Sequence, residues 1–135
     1  MIGIVIVTHA DLAKEFIKAL EHVVGKQKLL RAVCINPNDD MDKKRIEIIE
    51  CVNAVNKGAG VIIATDMFGG TPSNLAISNL KDNEIEVVAG VNLPMLIKMV
   101  SDRKKIKLNE LVKISQDSGR KYINVASNFF KEKKN

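Results

Sequence analysis

The chain has 135 residues, of which 46% are hydrophobic and 27% are charged, and its formal net charge at pH 7 is +5. A chain of this size and composition suits one globular domain with one core. Tryptophan is absent and only 4% of the residues are aromatic, which argues against a nucleic-acid binder that stacks bases on aromatic side chains.

The excess positive charge is concentrated in two places. One is the run Arg103–Lys105 with Lys107, and the other is the lysine-rich C-terminal end. We expect one domain over residues 1–130 and a solvated lysine-rich tail over residues 131–135. The functional alternative for these lysines is a basic patch that steers an acidic partner.

The cysteines and the apolar N-terminal segment indicate in which cellular compartment the protein resides. Cys34 and Cys51 lack metal-binding spacing and are typical of small core residues in a reducing compartment. The apolar segment Met1–Val7 is too short for the hydrophobic region of a signal peptide, and no apolar run is long enough to span a membrane. We therefore predict a cytoplasmic protein.

In chain order, β-branched apolar runs alternate with segments of helical spacing, a pattern typical of buried strands and amphipathic helices. The predicted strands are Ile2–Val7, Leu29–Ile35, Gly60–Thr65 and Glu84–Gly90. The predicted helices are Leu12–Val24, Asp42–Asn56, Pro72–Leu80, Asn92–Ser101 and Leu108–Ser118, the last closed by Gly119. The predicted core residues of the first two helices are Leu12, Phe16, Ile17, Leu20, Val23, Val24, Ile46, Ile49, Val52 and Val55. Tyr122–Ser127 fits either a short last strand or more helix.

This alternation predicts a single-domain α/β fold, with a mainly parallel sheet of about four strands and helices on both faces. Tyr122–Ser127 is a candidate for a fifth, antiparallel edge strand. In such sheets, ligands and reacting groups gather beyond the C-terminal ends of the strands. That rule points to Thr8–Asp11, Asn36–Asp40 and Asp66–Asn74.

The two histidines differ in their setting. His22 lies within the first predicted helix, where we expect a partly exposed residue with no catalytic role. His9 directly follows the first strand at the head of that helix, where unpaired N–H groups favour a negative charge. On position alone, a loop residue bonded to the backbone is the better interpretation of His9.

Asp66 changes that balance, because it follows the third strand as His9 follows the first. A carboxylate that accepts from one ring nitrogen fixes the tautomer and makes the other nitrogen more nucleophilic. Gly69 and Gly70 allow backbone N–H groups to approach a phosphate closely, and Thr71 adds a hydroxyl. A plain tight turn is the alternative for the two glycines. Together these residues predict that His9 carries a phosphoryl group.

Other chemistries fit poorly. The chain has no GxxxxGK[ST] motif, no GxGxxG after the first strand and no GxSxG around Ser73. The two distant histidines give no metal site, and no aromatic pair is available to hold a flavin. We predict neither a metal nor a cofactor.

Three segments resemble the signatures of one family, the enzyme IIA component of the mannose-type sugar phosphotransferase system. They are Ile6–His9 with Leu12–Ala13, then Thr65–Asn74, then Val88–Leu96. The similarity runs from Met1 to about Gly119, and three motifs in order at strand ends make it specific.

The resemblance implies that His9 accepts a phosphoryl group from the phosphocarrier protein HPr and gives it to the IIB component. IIB then phosphorylates sugar during uptake through the membrane components IIC and IID. Asp66 would orient the ring, and Gly69, Gly70 and Thr71 would hold the phosphate. Members are described as homodimers with an exchanged edge strand, for which Tyr122–Ser127 is the candidate.

One residue departs from the family pattern. The family usually has glycine directly after the histidine, where this chain has Ala10. Alanine can serve there if its φ is negative, and we expect the site to survive with a slightly different loop geometry. Beside the site, Met67 and Phe68 would either dock a partner or anchor the loop to the core.

Two other functions on the same fold stay open. One is the phosphoryl-donor subunit of a dihydroxyacetone kinase, with a similar histidine and a different acceptor. The other is a regulatory module whose phosphorylation state is read by a transcription regulator. The stretch from Gly69 to Asn74 favours the sugar system.

Overall fold

The computed structural model describes residues 1–134, with side chains described as far as Lys131. The strands are β1 (Gly3–His9), β2 (Leu30–Ile35), β3 (Val61–Thr65) and β4 (Ile85–Ala89). The helices are α1 (Leu12–Val24), α2 (Met41–Val55), α3 (Thr71–Ile77), α4 (Leu93–Asp102), α5 (Leu108–Lys121) and α6 (Ala126–Lys134).

The strands form one parallel sheet in the order β2-β1-β3-β4. In β1, Ile4 lies opposite Leu30 of β2, and Gly3 lies opposite Val61 of β3. The strand order therefore reverses at β1, and the C-terminal ends of β1 and β3 border the crevice where open α/β sheets place their ligands. The predicted α/β fold with four parallel strands is confirmed.

Alternate residues of β1 face two separate clusters of apolar side chains. Ile4 and Ile6 pack with residues of α1, α4 and α5 on one face. Val5 and Val7 pack with residues of α2 and α3 on the other. All four are fully excluded from water, and burial of each such side chain is worth about 1.5–3 kcal/mol. Helices therefore cover both faces of the sheet, which explains why β1 is apolar from Ile4 to Val7.

The buried face of α2 differs from the predicted one. Ile48, Val52 and Val55 are buried, whereas Ile46 is 55% exposed and Ile49 is 42% exposed. The prediction that Ile46 and Ile49 are core residues is therefore wrong, because α2 turns the stripe with spacing i, i+4 and i+7 toward the sheet. The predicted core residues of α1 that are exposed instead are Leu12, Val23 and Val24.

Gly119 lies inside α5 and does not end it, so its prediction as a stop is wrong. The side-chain amide of Asn92 donates to the Gly119 carbonyl at 3.0 Å. A Cβ at Gly119 would lie 3.0 Å from Met95 Cε. The glycine therefore lets α4 and α5 approach closely, and α5 continues to Lys121.

No fifth strand forms within the described residues. Tyr122 follows α5, and the chain then enters α6 at Ala126, so the last two residues of the segment predicted as strand or helix are helical. The backbone of the predicted tail continues α6 as far as Lys134, while residue 135 and the side chains of residues 132–134 lie outside the described part of the chain. Among the described helices, none is long and apolar enough to cross a membrane.

Arg103, predicted as part of a basic surface run, is only 2% exposed. Its guanidinium donates to the carbonyls of Lys28 at 2.6 Å, Leu29 at 3.2 Å and Ile2 at 3.3 Å. It also donates to the side-chain oxygen of Gln27 at 3.1 Å. Arg103 therefore ties the end of α4 to the starts of β1 and β2, and it is not available to a partner.

We expect Arg103→Met to lower the free energy of unfolding by roughly 2–4 kcal/mol, because buried carbonyls lose charged donors. Urea denaturation would measure the change. Lys104→Met, at an exposed neighbour, is the control and should change stability by less than about 0.5 kcal/mol. Equal effects of the two substitutions would contradict the structural role of Arg103.

Candidate functional site

His9 and Asp66 meet at the C-terminal ends of β1 and β3. The Nδ1 atom of His9 lies 2.8 Å from Asp66 Oδ2, and the backbone N–H of His9 donates to the same oxygen at 3.0 Å. The His9 side chain is 49% exposed and that of Asp66 is 15% exposed. The carboxylate therefore holds both the backbone and the ring of His9. A proton on Nδ1 satisfies the short contact and leaves Nε2 with its lone pair.

Opposing effects act on the carboxyl group of Asp66. Burial raises its pKa, but the hydrogen bonds from the amide and ring of His9, the charge of His9 and the Met67 amide together outweigh burial. The pKa of Asp66 is therefore below its ordinary value. Asp66 is an anion at neutral pH, which suits an acceptor that stabilises positive charge on the imidazole.

The glycine loop lies against the free side of the His9 ring. A Cβ on Gly70 would lie 2.8 Å from His9 Nε2 and 2.7 Å from Cε1, so only glycine leaves this space open. Gly69 has a φ of +90°, a conformation that glycine adopts readily. Thr71 begins α3 and is exposed. In the described part of the chain, the amides of Gly70 and Thr71 have no hydrogen-bond acceptor.

Ala10 has a φ of +48°, so the negative φ under which alanine was expected to replace the glycine is not found. Its N–H donates to the Ile35 carbonyl at 2.9 Å, while the preceding amide of His9 is held by Asp66. The chain must then turn into α1 within two residues. These anchors force the left-handed conformation, which costs an alanine roughly 1–2 kcal/mol.

A shallow cleft of about 240 Å³ opens beside His9 and is lined by Ala10, Ile35, Asn36, Pro37, Met41 and Thr71. Sequence reasoning pointed to the loop after β2 but missed Met41, because an apolar residue at a helix start also fits a packing role. The carboxylates of that loop serve the backbone. Asp40 caps α2 by accepting from the amides of Asp42 and Lys43.

The other residues considered for the site differ in their exposure and in their distance along the fold from His9. Met67 is 56% exposed and Phe68 is 59% exposed, and both lie on the loop between β3 and α3. Thr8 is buried, and its hydroxyl accepts from the Ala13 amide at 2.7 Å, which fixes the start of α1 beside His9. His22 lies exposed in the last turn of α1, away from the site.

Residues 3–116 match a protein family described as PTS system fructose IIA component. The chain therefore belongs to the mannose-type IIA family of the phosphoenolpyruvate-dependent sugar phosphotransferase system. Members are phosphotransferases that work through a phosphohistidine, and the chain is a phosphoryl carrier of such a system.

Individual relatives agree with this assignment. A sorbose-specific EIIA component of Lacticaseibacillus casei is 31% identical over 110 residues, which cover 81% of this chain and 79% of the relative. A mannose-specific EIIAB component of Escherichia coli is 33% identical over 125 residues, which cover 88% of this chain and 38% of the relative. The crystal structure of an EIIA component from Streptococcus agalactiae has a TM-score of 0.86 and 26% identity, covering 95% of this chain and 99% of that one.

We expect Ala10→Gly to stabilise the protein by roughly 0.5–1 kcal/mol, because removal of the left-handed strain exceeds the entropy that glycine loses on folding. Thermal or urea unfolding would measure the gain. Ala19→Gly in the middle of α1 makes the same chemical change in a helix and should destabilise by about 1 kcal/mol. A loss of stability in Ala10→Gly would contradict the strain.

Proposed function

We propose that His9 is the residue that carries the phosphoryl group and that Nε2 is the acceptor atom. The observation that carries this proposal is the 2.8 Å contact between His9 Nδ1 and Asp66 Oδ2. With its proton held on Nδ1, the ring presents the Nε2 lone pair toward Gly70. The exposed edge of the imidazole is accessible to another protein.

Transfer proceeds in line between two histidines. The Nε2 lone pair of His9 attacks the phosphorus of the donor phosphohistidine, a new N–P bond forms, and the N–P bond of the donor breaks with its electrons returning to the donor ring. The His9 ring then gains positive charge, which the Asp66 anion stabilises. Because the transition state is loose, the protein contributes position and electrostatics more than covalent chemistry.

Gly69, Gly70 and Thr71 are the proposed phosphate-binding residues. The amides of Gly70 and Thr71 have no acceptor in the described part of the chain, and Gly70 leaves open space beside Nε2. Unpaired amides around a glycine turn form an anion-binding nest, and the Thr71 hydroxyl adds a donor. Donors placed where charge develops stabilise transfer in either direction.

The proposed donor is phospho-HPr and the proposed acceptor is a IIB component, which links the chain indirectly to the membrane components IIC and IID. The EIIAB name of the Escherichia coli relative supports IIB as acceptor. A residue that anchored the loop to the core would be buried, so the exposure of Met67 and Phe68 favours docking for both. We place these reactions in the cytoplasm.

A homodimer is the proposed assembly. The last part of the chain exposes five large apolar side chains: Tyr122 by 59%, Ile123 by 76%, Val125 by 63%, Phe129 by 43% and Phe130 by 62%. Among the strands of the described residues, β4 lies at the edge of the sheet and has β3 as its one strand neighbour. Such a surface promotes association, and the exchange of this segment between two copies covers both features.

The labelling test uses enzyme I, HPr and radioactive phosphoenolpyruvate. We expect the chain to take up one acid-labile phosphoryl group and His9→Ala to take up none, because no other side chain offers the same held tautomer. His22→Ala is the matched control and should label normally. Label that persists on His9→Ala would sink the assignment of His9.

Two further variants examine the surroundings of His9 in the same assay. Asp66→Asn should slow transfer at least about tenfold, as loss of the partner that orients a histidine does elsewhere. Gly70→Ala should reduce labelling because its Cβ would lie 2.8 Å from Nε2. Circular dichroism would verify that each variant folds. Normal transfer rates in both would remove Asp66 and Gly70 from the mechanism.

Analytical ultracentrifugation tests the dimer. The chain has a mass of 14.9 kDa, and we expect twice that value in solution. The double variant Ile123→Asp, Val125→Asp should be monomeric, whereas Ile46→Asp, at an equally apolar exposed site on α2, should remain a dimer. A monomeric parent protein would contradict the proposal.

A further inference from the structure

The edge of the sheet opposite His9 is built from three neighbouring connections. The connection from α1 to β2 meets the turn from α4 to α5, where Arg103 donates to the Lys28 carbonyl at 2.6 Å. The connection from α2 to β3 meets the same turn, since Gly58 and Ala59 line a depression with Ile106 and Lys107. These connections therefore form one continuous surface.

This surface carries six lysines, and we call it the basic edge. They are Lys26, Lys28, Lys57, Lys104, Lys105 and Lys107, and all six are exposed. Within residues 1–131, none of them has a carboxylate within salt-bridge distance. Asp102 attracts Lys105 electrostatically without forming an ion pair with it, so the six ammonium groups can still meet an external anion.

The carboxylates closest to these connections do not neutralise the basic edge. Glu84 pairs with Lys81 at 2.9 Å, and Asp102 pairs with Lys98 at 3.2 Å. Glu21 accepts from the Gln27 amide at 2.8 Å. Asp82 and Glu110, the latter in the first turn of α5, add two further negative charges, so six lysines face fewer free carboxylates and the edge keeps a net positive charge.

We propose that the basic edge binds the anionic lipid surface of a membrane. About four to eight clustered lysines or arginines suffice for attraction to anionic lipids, at a strength that falls with salt. The lysines come from separate connections, and Lys107 is the one of the six that lines the depression beside Gly58 and Ala59. This spread suits a broad charged surface better than a small anion. Val23 and Val24, exposed at the end of α1 beside Lys26, add apolar contact.

Other anionic partners fit this surface less well. The described aromatic side chains lie on α1, the loop after β3 and the C-terminal segment, so no base could stack on the basic edge. The six lysines lie on connections between elements and at the caps of helices, whereas a protein that reads a DNA groove presents its basic side chains along a helix or a strand pair. A protein interface needs a core depleted of charge, whereas this surface is mostly lysine.

The orientation leaves the histidine site open. β1 has seven residues and spans roughly 20 Å from the basic edge to His9. A chain bound through its lysines would hold His9 away from the membrane and accessible to partners in solution. Lipid binding does not depend on His9 being the phosphoryl acceptor, so the two proposals can fail separately.

The test is co-sedimentation of the full chain with vesicles of phosphatidylcholine containing about 30% phosphatidylglycerol, with pure phosphatidylcholine vesicles for comparison. We expect binding to the anionic vesicles alone at about 0.05 M salt and its loss at about 0.5 M salt. The triple variant Lys104→Gln, Lys105→Gln, Lys107→Gln should bind at least about tenfold more weakly, and it should still be phosphorylated.

The matched control removes the same charge elsewhere. Lys14→Gln, Lys43→Gln, Lys113→Gln changes three exposed lysines outside the basic edge and should bind nearly as well as the parent chain. The proposal is overturned if the parent chain ignores anionic vesicles, if both triple variants lose binding equally, or if the Lys104 variant retains it. It is also overturned if duplex DNA displaces the chain from vesicles at physiological salt.

Discussion

The central strand β1 is hydrogen-bonded to β2 on one side and to β3 on the other, and its side chains before His9 are removed from water on both faces. A strand in this position cannot shift by one residue without exchanging the contents of the two clusters of buried side chains. Its register against β3, with Val7 opposite Thr65, therefore decides which side chains lie next to each other at the C-terminal ends of the two strands. His9 and Asp66 meet because of that register.

In the contact between His9 and Asp66, one carboxylate oxygen accepts hydrogen bonds from both the backbone amide and the ring of the same histidine. The backbone bond fixes where the residue lies, and the ring bond fixes how the imidazole is turned. This arrangement is accompanied by backbone strain at the next residue, because Ala10 adopts a left-handed conformation that is unfavourable for alanine. The strain is local and small beside the burial of β1 and its neighbours.

The opposite ends of the sheet have different electrostatic character. The C-terminal edge carries Asp66 and the loop carboxylates beside the cleft, while the N-terminal edge carries exposed lysines around the buried Arg103. Arg103 and its neighbours look alike in the sequence, yet they differ completely in burial. The arginine supplies several fixed donors to carbonyls, a task that suits its rigid guanidinium, whereas the lysines reach into water.

Much of the fold can be predicted from short-range patterns of apolar and polar residues in the sequence. Continuous apolar runs predicted the strands, because strands covered on both faces need apolar residues at every position. Helical spacing placed α1 at its observed bounds, and the ends of the other predicted elements lay within about three residues of the observed ones, whereas α6 was not predicted. The candidate site was equally accessible, since residues that follow parallel strands share one edge, so His9, Asp66 and the glycine loop could be found together.

What the sequence by itself determined was thus the order of the elements up to α5, the parallel sheet and the set of polar residues at its C-terminal edge, all of which follow from residue type and short-range periodicity. The tertiary structure alone decided the buried stripe of α2, the left-handed φ of Ala10, the burial of Arg103 and the place of Gly119 within α5. Each of these depends on contacts between segments far apart in the chain. Such contacts produce no periodic pattern in the sequence, because the environment of a side chain is set by the element that packs against it.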